Sequence, residues 1–221
     1  MSDVKQFLNS PPLSPDIGQI RSALDLYESS QIMLNPGVKL NAETNLLDFK
    51  TAAVLIPIWK DHEGNLHILL TQRAKHLRNH PGQIAFPGGQ YDDVDTDLIQ
   101  TALRETHEEV GLPPNCFQLI GELGDYLTIS GFCVKPIIAE VTTLQDMTLA
   151  LDEVESAHWV PLDYLLTPTN YKFTRRNLSD IHTGYFEIQY QDITIWGVTA
   201  GILYELYQAL DSHIAASIKK K

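Results

Sequence analysis

Glu105, Glu108 and Glu109 stand at offsets of zero, three and four, and on a helix those offsets fall on one face. Like charges at these spacings destabilise a helix by about 0.2–0.5 kcal/mol per pair, and no lysine within the segment offsets them. A solvated acidic face is the ordinary fate of a charge run. Here Arg104 immediately precedes the cluster, Gly111 offers a left-handed helix stop, and Pro87-Gly88-Gly89 makes a turn upstream. A loop, a helix and a cap are thus specified together, and the three carboxylates read as a site for bound cations. Carboxylate and water oxygens suit Mg2+ or Mn2+ better than zinc, which usually recruits histidine or cysteine.

The stretch running into this segment, Leu69 to Phe86, carries Arg73, Lys75, Arg78, His76 and His80 in a chain of formal net charge −12. Local positive charge in an acidic protein suits a substrate with several phosphates, because guanidinium forks match phosphate oxygens. The plain alternative is that both arginines are solvent-facing residues near a strand end.

These residues need a scaffold. Ala52 to Trp59 and Leu66 to Leu70 are apolar runs of strand length separated by residues 60–65, which reads as a hairpin. Asp95 is a candidate N-cap for the helix ending at Gly111. Further strands are expected at Phe117 to Glu122, Cys133 to Val141, His158 to Val160, Tyr185 to Tyr190 and Asp192 to Trp196. In the last segment Ile202, Leu203, Leu206 and Leu210 follow helical spacing, while Gly197, Ala200 and Gly201 leave room for close backbone approach. Strands outnumber interspersed helices, so the expected class is α+β, an α/β/α sandwich around a mixed sheet. Residues 1–47 form an N-terminal extension with a helix from Ile17 to Gln31, packed on the main domain or on a partner subunit. The catalytic domain spans 48–215, and residues 216–221 form a basic tail ending in Lys219-Lys220-Lys221.

The order Arg104-Glu105-Thr106-His107-Glu108-Glu109-Val110-Gly111-Leu112 after Phe86-Pro87-Gly88-Gly89 resembles the second half of the Nudix box, whose family hydrolyses nucleoside diphosphates linked to another group. The segment departs from the usual box in three ways. Gly89 lies one residue farther from the arginine, and the glutamate between them is missing, with Asp92, Asp93 and Asp95 nearby instead. Thr106 also stands where the family has an apolar residue. The positions Leu69, Leu70, Thr71, Arg73, Arg78, Gly82, Phe86, Pro87, Gly88 and Gly89 are similar to the signature of the coenzyme A pyrophosphatase branch, with Ala74 in place of a serine. The segment from Ile195 to Leu203 resembles the one that closes the fold in those enzymes.

The resemblance implies a Nudix fold and a metal site built from Glu105, Glu108, Glu109 and the Gly89 carbonyl, with Arg104 orienting a glutamate. It also implies substrate contacts from Arg73, Arg78, Gly82 and Phe86, and a general base on the downstream acidic segment, Glu153 in preference to Glu155. The implied reaction is cleavage of coenzyme A, or an acyl or oxidised derivative, into 3′-phosphoadenosine 5′-phosphate and a 4′-phosphopantetheine species. Two other readings stay open: a Nudix hydrolase acting on ADP-ribose or a dinucleotide, and a non-catalytic nucleotide sensor on the same fold. Family analogy suggests a homodimer.

With 221 residues and 43% hydrophobic content, one substantial core is expected. The net charge argues against nucleic acid or anionic membrane partners, since both rely on broad positive fields. No apolar run approaches bilayer length, and the opening MSDVKQFLNS lacks a secretory pattern, so a cytoplasmic location is expected. Cys116 and Cys133 are too few for a disulfide framework or a zinc site, and free buried thiols are expected.

Overall fold

Alternation along Lys50–Lys60 decides the layering of the molecule. In the computed structural model, Ala53 and Leu55 join Ile137 and Ala139 against Ala102, while Ala52, Ile56 and Ile58 join Val134 and Ile138 in the larger core on the opposite face. A strand's period of two sends successive side chains to opposite sides, so a strand apolar at nearly every position must lie between two covering layers. Residues 2–28, 32–34, 48–178 and 181–218 are described; of the tail expected at 216–221, residues 216–218 continue the last helix and 219–221 lie outside the described residues.

The elements follow as α1 (Ser2–Leu8), α2 (Ile17–Asp25), β1 (Ile32–Leu34), β2 (Lys50–Lys60), β3 (Leu66–Arg73), β4 (Ile84–Ala85), β5 (Gly88–Gln90), α3 (Leu98–Val110), β6 (Phe117–Glu122), β7 (Asp125–Leu127), β8 (Phe132–Val141), β9 (Val154–Pro161), α4 (Leu162–Leu165), β10 (Tyr171–Leu178), β11 (Ile181–Tyr190), β12 (Ile193–Trp196) and α5 (Val198–Ile218). Among the described residues a mixed nine-stranded sheet runs β1-β7-β8-β2-β3-β4, with β5 on β2, β6 on β8 and β9 on β3. β8 runs parallel to β2, and β3 runs antiparallel to it. α3 covers one face; α2 and α5 contribute to the core on the other. This is the mixed α/β/α arrangement expected. β10, β11 and β12 form a separate antiparallel sheet beside α5.

One local feature of this topology builds the site. β2 and β3 pair only from Ile58↔Ile68 to Lys60↔Leu66, and then part. Into the gap come β4, paired to Thr71 and Gln72, and β5, paired to Ala52, Ala53 and Val54. The Leu55 N–H donates to the Pro87 carbonyl at 2.9 Å, so the Phe86-Pro87-Gly88-Gly89 turn is stitched into the sheet and lies under α3. The first turn of α5 closes this region from the other face, where the buried Thr199 hydroxyl donates to the Ile84 carbonyl at 3.0 Å. A Cβ at Gly201 would overlap the Tyr126 phenol, so a side chain rather than a backbone occupies the room expected there.

The N-terminal segment shares the main core. Phe7 is 1% exposed and sits edge-on to Tyr171, Phe186, Tyr204 and Tyr207 at centroid distances of 4.9, 5.4, 4.8 and 5.1 Å. Ile20, Ala23 and Leu24 of α2 join the same core, and β1 adds in parallel to β7. The helix expected from Ile17 to Gln31 stops at Asp25, because the next apolar residue, Leu26, is 73% exposed and finds nothing to pack against; Gln31 itself lies outside the described residues. β10 was not anticipated, and β9 begins four residues earlier than expected at Val154. Cys116 is buried and Cys133 half-buried, both as free thiols. Among the described residues no helix is long and apolar enough to cross a membrane.

Candidate active site

α3 delivers the glutamates, and its ends explain why it forms where it does. The N-cap is Asp97, whose side chain accepts the Gln100 N–H at 2.8 Å, while the Gln100 side chain accepts the Thr96 N–H at 2.6 Å. The expected cap, Asp95, is committed elsewhere. Gly111 closes the helix at φ 77°, in the left-handed region, with its N–H on the His107 carbonyl at 2.9 Å. Thr106 is fully buried and returns its hydroxyl to the Ala102 carbonyl at 2.7 Å, so a polar residue at an apolar position leaves no unpaired donor.

The three glutamates lie along one side of α3 in three environments. Glu109 is 4% exposed, Glu105 is half-buried and Glu108 is exposed. Burial pushes the Glu109 carboxyl up to about 8; Arg73 opposes the shift, Glu105 and Glu153 add to it, and a backbone hydrogen bond from Gly88 offsets part of it. Glu105 is raised first by burial, against the pull of Arg104, with Glu108 and Glu153 adding repulsion. Among the described residues no three acidic, histidine or cysteine side chains are gathered tightly enough to hold a metal ion as they stand. Arg104 bridges two of them: its Nη1 donates to Glu105 Oε1 at 2.8 Å and to Glu108 Oε2 at 3.0 Å.

The remaining nitrogens of Arg104 go to Asp95, Nε to Oδ1 at 2.8 Å and Nη2 to Oδ2 at 2.9 Å. Asp95 is nearly buried and also accepts from Thr101 Oγ1 at 2.9 Å and from the Asp92 N–H at 3.1 Å. Arg104 above all holds this carboxyl well below the usual carboxylate range. Sequence reasoning missed Asp95 as a site residue. The available signal was an acidic residue close to where the family's glutamate is absent.

Two observations fit a bound divalent cation. Glu109 Oε2 is buried with no hydrogen-bond partner, a costly state for a carboxylate oxygen unless a ligand satisfies it. At Gly89 a Cβ would overlap the Glu105 carboxylate, so the glycine is what permits that carboxylate to lie against the β5 backbone. Glu105, Glu109, Glu108 and the Gly89 carbonyl are the groups that would hold the ion.

Arg73 ends β3, and its charge acts on Glu109. Its buried Nε has no partner. Arg73 takes the Gly82 N–H on its carbonyl and donates its own N–H to Gln83, each at 3.0 Å, closing the loop between them. Gly82 is the left-handed hinge of that loop at φ 69°, which gives it a turn-forming role. Arg78 is exposed on the same loop. Phe86, expected at the substrate, is 4% exposed and packs in the main core, because the turn it opens is tucked into the sheet.

Glu153 and Glu155 separate clearly. The Ala74 N–H donates to the Glu153 carbonyl at 2.8 Å, and the Ala150 N–H to the Glu109 carbonyl at 3.0 Å, which fastens the turn carrying Glu153 to both β3 and α3. Its side chain is exposed yet acts on Glu105 and Glu109. Glu155 instead pairs with Lys75 at 2.6 Å.

The model of the NUDIX domain family matches residues 49–180. The uncharacterized Nudix hydrolase NudL of Escherichia coli O7:K1 (strain IAI39 / ExPEC) is 39% identical over 186 residues, covering 83% of this chain and 92% of its own length. The NudL of Enterobacter sp. (strain 638) is 39% identical over 167 residues, covering 73% and 83%. Among solved structures, a MutT/nudix family protein from Enterococcus faecalis superposes with a TM-score of 0.46 at 14% identity, over 79% of this chain and 66% of that one. With a family match over more than half its length and relatives this similar over most of theirs, the chain belongs to the Nudix family, hydrolases of nucleoside diphosphate derivatives.

Proposed function

We propose that this protein hydrolyses the diphosphate bond of coenzyme A or of an acyl or oxidised derivative, releasing 3′-phosphoadenosine 5′-phosphate and the corresponding 4′-phosphopantetheine. The observation that carries the reading is Arg73, a partly buried guanidinium with an unpartnered Nε, whose charge acts on Glu109, itself left with an unpartnered carboxylate oxygen. A cation between anions suits the phosphates of a diphosphate ester, whose oxygens it can take up without releasing its charge. Its neighbours Leu69, Leu70, Thr71, Arg78 and Gly82, running into Phe86-Pro87-Gly88-Gly89, are those that resemble the coenzyme A branch.

A Mg2+ or Mn2+ ion held by Glu105, Glu108, Glu109 and the Gly89 carbonyl would neutralise phosphoryl oxygens and make water a better nucleophile near neutral pH. The chain's own groups supply the rest. Arg73 binds a phosphate and offsets its charge, with Arg78 on the adjoining loop reaching a more distant one. Arg104 holds Glu105 and Glu108 in place until the ion takes their oxygens. Glu153 accepts the proton of the attacking water, from a turn fastened to β3 and α3 by backbone bonds. Water adds across the P–O–P bridge: its oxygen stays on one phosphorus and the other phosphate leaves.

The test is incubation of the pure protein with Mg2+ and, separately, coenzyme A, ADP-ribose and NADH, with products identified by mass. Formation of 3′-phosphoadenosine 5′-phosphate supports the reading. Turnover of ADP-ribose or NADH in its place assigns another Nudix substrate, and binding without turnover of any of the three identifies a sensor.

A further inference from the structure

The guanidinium of Arg104 serves three carboxylates at once, and two of them, Glu105 and Glu108, are groups that would hold the divalent cation. A cation and a guanidinium compete for the same oxygens. For an ion to enter, Arg104 must yield them, and a half-buried guanidinium left without a counter-charge would resist doing so. Asp95 is built to keep it. Its carboxylate takes Arg104 in a two-pronged pair of 2.8 and 2.9 Å, and its side chain is 1% exposed. Thr101 Oγ1 and the Asp92 N–H fix one of its oxygens, and the Tyr91 hydroxyl fixes its backbone carbonyl at 2.9 Å. None of these contacts involves the glutamates, so the pair survives when Glu105 and Glu108 turn away.

We infer that Asp95 is a positioning residue for metal loading: it anchors Arg104 so that Glu105 and Glu108 can be handed to a divalent cation while the guanidinium stays paired. The inference rests on the reading of the glutamates as metal ligands. It also accounts for two of the departures of this segment from the usual box. The anchoring carboxylate is supplied by Asp95 from the loop ahead of α3, where the intervening glutamate is missing and the glycine lies one residue farther back.

The experiment is direct Mn2+ binding, by calorimetry and by the electron paramagnetic resonance signal of free Mn2+, on the full chain without nucleotide. Asp95→Asn keeps the shape and removes the charge, and its affinity for Mn2+ should fall about 10- to 100-fold, the usual effect of losing a group that orients a metal ligand. In an Arg104→Gln background the same Asp95→Asn change should have no further effect, because nothing remains for Asp95 to hold. Thr101→Val, which loosens Asp95 without removing its charge, should weaken binding in the same direction by about threefold, and decides the matter if Asp95→Asn does not fold. Unchanged Mn2+ affinity in Asp95→Asn, or an equal loss with and without Arg104, overturns the inference while leaving the metal site standing. A wild-type protein that binds no Mn2+ overturns the metal site itself.

Discussion

If Glu109 holds the metal as proposed, ion binding depends on pH. Its carboxyl is raised to about 8 by burial, so in the metal-free protein at pH 7 only roughly one molecule in eleven carries the charge that a cation needs. Binding must displace a proton, and apparent affinity follows the deprotonated fraction: it should rise about ninefold from pH 6 to 7, about fivefold from pH 7 to 8, and level off above pH 9. Glu109→Gln removes the titrating group and should abolish this slope together with tight binding. The same proton sets stability. Because the folded value lies above the ordinary 4.5, the contribution is fully present below pH 4.5 and is lost as pH rises through 8, by roughly 5 kcal/mol across that window without metal. Glu205, raised by burial to about 7, acts with the same sign, so the difference between wild type and Glu109→Gln isolates Glu109. Calorimetric Mn2+ titrations at pH 6, 7 and 8, with thermal unfolding in chelator across the same range, read both effects. Affinity that is flat from pH 6 to 8, or a variant that keeps the wild-type slope, would refute the assignment.

Three further outcomes follow from the packing and charges. Arg73→Ala should raise KM at least about tenfold at saturating Mn2+, since it removes a phosphate partner; steady-state kinetics checks it. In Gly89→Ala the added methyl overlaps the Glu105 carboxylate, so the variant should remain folded by circular dichroism but lose most activity and Mn2+ binding. Phe7→Ala empties the ring cluster shared with Tyr171, Phe186, Tyr204 and Tyr207 and should cost about 3–5 kcal/mol in urea unfolding, with a single transition showing that the N-terminal segment melts with the rest.

Local patterns carried a large part of this reading. The spacing of Glu105, Glu108 and Glu109 put them on one helix side, Gly111 ended that helix in the left-handed conformation, and the alternating runs at Ala52 to Trp59 and Leu66 to Leu70 gave the β2–β3 hairpin. All of these depend on residues within a few positions of each other, where propensity and periodicity act directly. What depended on contacts distant in sequence was not legible. Phe86 lies in the core because β2 and β3 part to admit its turn, and the site borders Glu153 because Ala74 and Glu109 hold its turn through backbone bonds. The sequence pointed to Asp95 as the helix cap. Only the packed structure pairs it with Arg104 instead, since Asp97 already satisfies the helix end and a half-buried guanidinium must have its charge met.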